Sequence, residues 1–284
     1  MKIDTQTKLI GRFHTQDNGT GLNIYNPYFE DQGINAVYML FRSDKPQELI
    51  DGMRGLHLTG AITAGFEHDP SLAALVDELD ETVEISGIIG NIANSDGKIR
   101  AHYQGGYGFL NAIQEKIDTT DKRLVIVGAS TVVKTLLLAL EKTSQKPNEV
   151  IIVNRTLDHA KALQKRFNWI KSVHSLVDLE SIKGDILVNA TRIGSVDEDT
   201  VYTNDIVSSY QAVADVTFGN PVTNLTTLGQ DNGLVVINGW DMFTHQAAVL
   251  LKHVLGHSAN IDRLRYFVSE GLASNNHAPI LEKR

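Results

Sequence analysis

The pattern of apolar positions is clearest between residues 123 and 156. A β-branched run at 124–127 stops at Gly128, an apolar helical pattern follows from about 131 to 140, and a second β-branched run at 150–153 closes the unit. This order and length predict a βαβ unit. The glycine turn and the helix N-terminus of such a unit offer free N–H groups and a favourable dipole to a phosphate. The pattern therefore favours a nucleotide as the ligand.

Alternating strand and helix patterns extend over the rest of the chain. Before the central unit they predict a short N-terminal strand, a helix that opens at 24–29 and ends near Gly33, a strand at 34–41, a helix at 46–55, a strand at 56–63, a helix at 70–79, a hairpin of 88–93 and 98–102 around the turn 94–97, and a helix at 109–117. After it they predict a helix at 157–167, strands at 186–189, 213–217 and 235–237, and helices at 242–255 and 261–271. We therefore expect an α/β protein of two domains, an N-terminal αβ domain followed by a doubly wound parallel sheet of the Rossmann type.

Length and composition favour a soluble protein with a small-molecule partner. The chain has 284 residues, of which 42% are hydrophobic and 21% are charged. It shows no apolar run of membrane length and no signal peptide at its start, so we expect a cytoplasmic location without membrane contact. The net charge of −8 argues against a nucleic-acid surface. A homodimer is compatible with the many apolar helices.

No metal site is expected. The chain contains no cysteine, which excludes disulfides, thiolate metal sites and cysteine nucleophiles. His245, His253 and His257 are separated by eight and four residues near the C-terminal end. Without carboxylates beside them, we interpret these histidines as helix-surface residues rather than metal ligands.

The turn after the first strand of the central unit is poor in glycine. Dinucleotide-binding turns use three glycines, but here only Gly128 is present, and the other two places fall on Ser130 and Val133. Ser130 offers a hydroxyl to a phosphate, while its Cβ takes room that a pyrophosphate would need. Arg155 ends the second strand, where NADP enzymes carry an arginine for the 2′-phosphate and NAD enzymes an acid. Arg155 favours NADP as the cofactor; the alternative is a structural βαβ unit with a surface arginine.

Short segments in a fixed order resemble the shikimate dehydrogenase superfamily, particularly its shikimate/quinate dehydrogenase-like branch. The segments are 33–38, 96–97, 106–109, 154–156, 188–191, Asp215, and 238–242 with Gln246. Their order and spacing together carry the resemblance. It implies an N-terminal substrate-binding domain, a C-terminal NADP-binding Rossmann domain and a cleft between them.

The resemblance also assigns domain bounds and site residues. It implies a substrate-binding domain at 1–103, joined by part of the C-terminal segment 257–284, and an NADP-binding domain at 104–256. The implied cofactor-binding residues are Gly128, Ala129, Ser130, Asn154, Arg155, Thr156, Thr191 and Gly239. The implied substrate-binding residues are Thr20, Asn26, Thr63, Tyr103 and Gln246.

The chain departs from the family at the residues that carry its chemistry. The family transfers a hydride between NADP and a ring hydroxyl, and a lysine and an aspartate handle the proton and anchor the substrate. Here Glu67 stands at the lysine position and Gly105 at the aspartate position. The family's substrate asparagine falls on Gly90, with Asn91 one residue away, and its tyrosine becomes Phe218. Because Glu in place of Lys reverses the local charge, we expect the anion shikimate to bind poorly.

The titratable residues left at this place are Glu67 and His68. Glu67 suits a general base if it is partly buried, and His68 suits one near neutral pH; the alternatives are a solvated carboxylate and a surface-loop histidine. Three functions stay open. The first is an NADP-dependent oxidoreductase that has moved to a less anionic or a cationic substrate. The second is a catalytically inactive binding or regulatory protein on the same scaffold, and the third is a purely structural subunit.

Overall fold

The computed structural model describes residues 3–14, 19–194 and 200–275. This part of the chain divides into two compact units, one formed by residues up to 104 together with those from 247 onward, and one formed by 105–246. Residues 276–284 of the predicted segment 257–284 lie outside the described residues. The predicted α/β class, with a mixed first unit and a parallel Rossmann sheet in the second, is confirmed.

The strands and helices follow one another along the chain in near alternation. The strands are β1 (Lys8–His14), β2 (Ala36–Arg42), β3 (Gly60–Ile62), β4 (Glu78–Leu79), β5 (Asn91–Ser95), β6 (Lys98–His102), β7 (Arg123–Val127), β8 (Glu149–Asn154), β9 (Ser172–Ser175), β10 (Ile186–Asn189), β11 (Ala212–Asp215) and β12 (Val235–Ile237). The helices are α1 (Thr20–Asp31), α2 (Pro46–Gly55), α3 (Pro70–Leu75), α4 (Glu81–Ser86), α5 (Gly105–Lys116), α6 (Thr131–Lys142), α7 (Leu157–Arg166), α8 (Asn204–Val207), α9 (Asn224–Asp231), α10 (Gly239–Leu255) and α11 (Ile261–Asn275), with a 3₁₀ helix at Leu176–Ser181.

The second unit is built on a six-stranded parallel sheet in the order β12-β11-β10-β7-β8-β9. Counted along the chain this is the order of the doubly wound dinucleotide-binding fold, and the order reverses between β7 and β10. Residues 124–127 form a continuous buried run rather than an alternating one, as is typical of parallel strands that are covered on both faces. Ligands of such sheets bind in the crevice at this reversal, beyond the carboxyl ends of the strands.

The first unit has a mixed sheet in the order β2-β1-β3-β5-β6-β4. Strands β1, β2 and β3 run parallel, and β5 pairs antiparallel both with β3 and with β6, with which it forms a hairpin. The aromatic and aliphatic core of this unit includes Phe13, Met53, Ile92 and Ile99. The pairing of β3 with β5 brings the loop after β3 and the segment before β5 to one corner of the sheet.

Several predicted bounds were wrong, and the reasons are local. The first helix begins at Thr20, one turn before the predicted start, so Pro27 lies inside it. The predicted strand at 56–63 forms only at Gly60–Ile62, and the predicted helix at 70–79 ends at Leu75 because the next residues pair with β6 as β4. The short elements α4, α8 and β9 were not predicted, since they are too short to show a periodic pattern.

Candidate functional site

The turn after β7 is fitted closely against the end of β10. Gly128 has a φ of +119°, and a Cβ at this position would lie 2.9 Å from both the carbonyl oxygen of Ala190 and the Cγ2 of Thr191. The Ser130 hydroxyl donates to the same carbonyl at 3.1 Å, so it is committed to the protein. Val133 is fully buried at the start of α6. Glycine is therefore required at 128 for the turn itself, whereas Ser130 fastens the turn to β10.

A cavity of about 330 Å³ opens beside this turn. It is lined by Val127, Asn154, Arg155, Leu176, Thr191, Arg192 and Ile193. Arg155 is exposed at the end of β8, and among the described residues its guanidinium makes no hydrogen bond or ion pair. Arg192 comes from the segment after β10. Two arginines line this one cavity, and guanidinium groups are suited to binding an anion.

The other predicted cofactor residues shape the walls of this region. The Asn154 amide donates to the Thr156 carbonyl at 2.8 Å, which sets the turn that starts α7. The Thr191 hydroxyl donates to Asn189 Oδ1 and accepts from the backbone N–H of Ile193. Half-buried Ala129 lies in the turn itself. The Asn154 and Thr191 side chains thus make hydrogen bonds within the protein that explain their positions. The roles of these residues toward a cofactor stay predictions.

Gly239 and Gln246 both lie on α10. A Cβ at Gly239 would stand 2.0 Å from the Thr217 carbonyl oxygen, so only glycine lets the helix begin against the segment after β11. Half-buried Gln246 lies against Gly108 of α5, where a Cβ would come within 2.5 Å of the Gln246 Cγ. The helices approach closely at this point because residue 108 has no side chain.

In the first unit, the loop after β3 is hydrogen-bonded to the segment before β5. Thr63 is fully buried, and its hydroxyl donates to the Ile89 carbonyl. Its backbone N–H donates to the Gly90 carbonyl, and the Ile89 N–H donates to the Glu67 carbonyl at 3.0 Å. Thr63 is thus held inside the protein, while Glu67 is placed at the corner beside it.

Glu67 and Tyr103 meet at this corner. Glu67 is half-buried, and its carboxylate accepts a hydrogen bond from the backbone N–H of Gly65. Burial raises the pKa of Tyr103, and the negative charge of Glu67 raises this pKa further. A Cβ at Gly90 would come within 3.1 Å of the Tyr103 ring and 2.5 Å of Gln104 Oε1. The corner therefore holds a carboxylate, a phenol and an amide in a small space.

Three predicted residues lie outside this corner or make other contacts. The Asn26 amide donates to the Tyr38 carbonyl at 3.0 Å and accepts from the Tyr38 N–H at 2.8 Å, so both ends hold the edge strand β2. His68 is exposed in the loop. Thr20 is half-buried at the first residue of α1. Their roles toward a substrate stay predictions.

A polar network that sequence reasoning missed lies behind the corner. His102 and Asp80 form an ion-pair contact through Nδ1 and Oδ2, and the Asp80 carboxylate also accepts from the Thr82 hydroxyl. The His102 and His253 rings stack with their centroids 4.7 Å apart. His253 Nδ1 lies 2.5 Å from Asn91 Oδ1, and Asn91 Nδ2 donates to Gln104 Oε1 at 2.7 Å.

The environment sets the protonation of this network. Burial lowers the pKa of His253 to about 4, and the nearby charge of His102 contributes to the shift. Burial alone would raise the pKa of Asp80, but hydrogen bonding and charge from His102 outweigh it and hold this pKa below its usual value. His253 is therefore neutral at physiological pH, and Asp80 is ionised.

The interpretation of the helix histidines as surface residues was wrong for His245 and His253. His245 is 6% exposed, and its Nε2 lies 3.0 Å from Glu115 Oε2. His253 is half-buried against Asn91. Their spacing along the helix gave no signal of these partners, which come from distant parts of the chain. Among the described residues, no group of three His, Asp or Glu is arranged to hold a metal ion.

The order of the parallel sheet and the crevice beside Gly128 define a protein of the Rossmann class. A family model for shikimate/quinate 5-dehydrogenase matches residues 111–211. Shikimate dehydrogenase (NADP(+)) of Methanopyrus kandleri is 27% identical over 289 residues, covering 96% of this chain and 98% of the relative. The relative from Methanocaldococcus jannaschii is 28% identical over 279 residues, covering 93% of this chain and 96% of its own length.

A solved structure extends the comparison to the whole fold. A shikimate dehydrogenase in complex with NADP+ has a TM-score of 0.78 and 26% identity, covering 95% of this chain and 98% of that one. Together these matches support the resemblance to the shikimate dehydrogenase superfamily over nearly the whole chain. No helix in the described part of the chain is long and apolar enough to cross a membrane.

Proposed function

We propose that the protein is an NADP-dependent oxidoreductase that acts on a hydroxyl or ketone of a substrate less anionic than shikimate. The observation that carries the cofactor assignment is Arg155, an exposed guanidinium without a partner among the described residues, at the rim of the cavity beyond β7 and β8. An arginine at this point of the second strand is the feature that accommodates a 2′-phosphate. The named relatives use NADP(+).

The described residues fit this cofactor. Gly128 keeps the turn free of a side chain where the backbone passes close to the segment after β10. The N-terminus of α6 follows directly, and its N-cap residue Ser130 makes no side-chain capping bond. Arg155 and Arg192 supply positive charge for the phosphate at the 2′ position. Ser130 would bind a phosphate through its backbone N–H rather than through its hydroxyl, because the hydroxyl donates to the Ala190 carbonyl. NADP, when bound, supplies the hydride acceptor or donor.

Glu67 is our candidate for the residue that takes and returns the hydroxyl proton. Its carboxylate is half-buried and is held in place by the Gly65 N–H. A carboxylate that accepts one hydrogen bond keeps further acceptor positions for a substrate hydroxyl. Its charge also makes the corner unfavourable for an acid such as shikimate, because two carboxylates in a partly buried site repel each other.

Steady-state rates with NADP+ test this proposal directly. Shikimate, quinate and sorbitol serve as test substrates, and we expect sorbitol or another neutral polyol to exceed both acids in kcat/KM. Replacing Glu67→Lys should raise kcat/KM for shikimate about tenfold or more, because a cation then faces the acid. Glu84→Lys, a matched charge reversal at an exposed residue of α4, should change nothing. If shikimate is the best substrate of the unmodified protein, the proposal that its substrate site disfavours shikimate is wrong.

The alternative, a catalytically inactive binding or regulatory protein, is favoured by one specific observation. Gly105, at the family's aspartate position, is buried at the first residue of α5 and offers no side chain. Binding of NADPH without turnover of any alcohol or ketone would support this alternative. Loss of turnover in Glu67→Ala, with NADPH binding intact, would exclude it.

A further inference from the structure

We propose that Gln104 is a specificity-determining residue whose amide nitrogen donates to an oxygen of the substrate, and that Asn91 and His253 hold it in that orientation. This inference rests on the proposed function, because it concerns the same corner of the first unit. It extends that function by naming the chemistry that the substrate must present: an uncharged carbonyl or hydroxyl oxygen.

The orientation follows from a chain of hydrogen bonds with one direction. Asn91 Nδ2 donates to Gln104 Oε1 at 2.7 Å, which turns Asn91 Oδ1 toward His253 Nδ1 at 2.5 Å. Because an amide oxygen only accepts, we infer that the ring nitrogen donates. Asn91 is fully buried, so its amide has no water to compensate for a lost partner. The oxygen of Gln104 is therefore turned inward, and its NH₂ group is turned away from Asn91.

The NH₂ group of Gln104 is available to a ligand. Among the described residues it has no protein partner, and it is not among the polar atoms sealed from solvent. The side chain lies beside Gly90, where a Cβ would come within 2.5 Å of Gln104 Oε1. A residue other than glycine at 90 would displace the amide. Gln104 and its neighbour Tyr103 thus face the corner that contains Glu67.

The tautomer of His253 decides the polarity of the site. If neutral His253 carried its proton on Nε2, its Nδ1 would accept, the Asn91 amide would reverse, and Gln104 would present its oxygen instead. Negative charge from Glu67 at the same corner favours the amide orientation with NH₂ outward. The titratable groups around His253 are His102, Asp80 and Arg100. His253 is a positioning residue in this account, since it acts through Asn91.

Nitrogen NMR of the unmodified protein tests the orientation without requiring a substrate. Long-range proton–nitrogen spectra of ¹⁵N-labelled protein at pH 7 report which ring nitrogen of His253 carries the proton. We expect Nδ1 to be protonated and Nε2 to be the pyridine-type nitrogen. His257→Gln, which lies outside the network, should leave this signature unchanged and assists the assignment. A proton on Nε2 would overturn the proposal.

Ligand titration of the same labelled protein tests the contact. With NADP+ present, shikimate, quinate and sorbitol are added in separate titrations while the Gln104 side-chain NH₂ signals are followed. We expect these signals to move with sorbitol, and the Kd of sorbitol to rise about tenfold in Gln104→Met, which keeps the length but removes the donor. If the Gln104 signals move with none of the three probes, the proposed contact between Gln104 and a substrate oxygen is wrong. Shifts of second-unit signals on adding NADP+ report separately on the proposed cofactor, so the two failures are distinguishable.

Discussion

Ser130 and Ala190 are joined by a hydrogen bond of 3.1 Å from the serine hydroxyl to the alanine carbonyl. The bond links the turn after β7 to the segment after β10, the two strands between which the sheet order reverses. The serine that breaks the glycine pattern of the turn therefore has a structural role of its own. Its hydroxyl is committed to Ala190, and a role of its backbone N–H toward a cofactor stays a prediction.

Ser130→Ala should lower stability more than it lowers cofactor affinity. Removing the hydroxyl loses one hydrogen bond, and we expect the free energy of unfolding to fall by about 1 kcal/mol. Guanidinium chloride denaturation measures the loss, and titration with NADP+ measures the affinity. We expect the Kd of NADP+ to change by no more than about threefold, because the lost hydroxyl is bonded to Ala190 rather than to the cofactor. A far larger loss of affinity would show that the hydroxyl binds the cofactor.

Asn26→Ala should act on stability through the edge strand. Both ends of the Asn26 amide are bonded to the backbone of Tyr38, and losing them leaves a buried N–H and carbonyl with poorer partners. We expect a loss of about 1–3 kcal/mol in the free energy of unfolding. Asn23→Ala, at an exposed position of the same helix, should cost far less. Unchanged stability with lost substrate affinity would instead support the substrate role implied by the family resemblance.

His253 predicts a particular pH dependence of stability. Its pKa is lowered to about 4 in the native protein from the usual 6.5. Below pH 6.5 the unfolded chain binds a proton that the native protein excludes, so stability falls as the pH drops from 6.5 to about 4 and this contribution then levels off. Because the side chain is only half-buried, we expect a loss of about 2–3 kcal/mol over this range.

The variant His253→Gln isolates that contribution. Glutamine keeps a donor toward Asn91 and does not titrate. The difference in free energy of unfolding between the two proteins, measured from pH 7 to 4, should therefore shrink or reverse as the pH falls. His102, Asp80 and Arg100 are present in both proteins, so the difference isolates the replaced side chain. A difference that is constant over this range would contradict the lowered pKa.

The sequence pattern was sufficient for β7 and β8 of the Rossmann unit because these strands are buried, whereas β9, α8 and α9 of the same unit were not predicted. Residues 124–127 and 150–153 formed unambiguous runs, and the predicted helix at 157–167 lies within one residue of α7. The same reasoning was weaker in the first unit. There, β4 has two residues and pairs with β6 across more than twenty positions of the chain, a relationship that no local pattern encodes.

The site was only partly predictable for a related reason. Gly128 and Arg155 could be named as candidates because a turn and a strand end are local features of the sequence, and their roles toward a cofactor stay predictions. The network of Asn91, Gln104 and His253 was missed because Asn91 and His253 are 162 positions apart. Asn91 was considered only as a shifted family residue, and its burial became evident from its place in β5.

The central claim is that Arg155 selects a 2′-phosphorylated dinucleotide, and a titration with NADPH and NADH tests it most directly. Arg155→Ala should raise the Kd of NADPH about tenfold to a hundredfold, the value of a charge-assisted hydrogen bond of roughly 1.5–3 kcal/mol, and leave NADH nearly unaffected. Lys165→Ala, an exposed cation on α7, is the matched control and should change neither. Equal weakening of both dinucleotides, or no binding of either by the unmodified protein, would contradict the account.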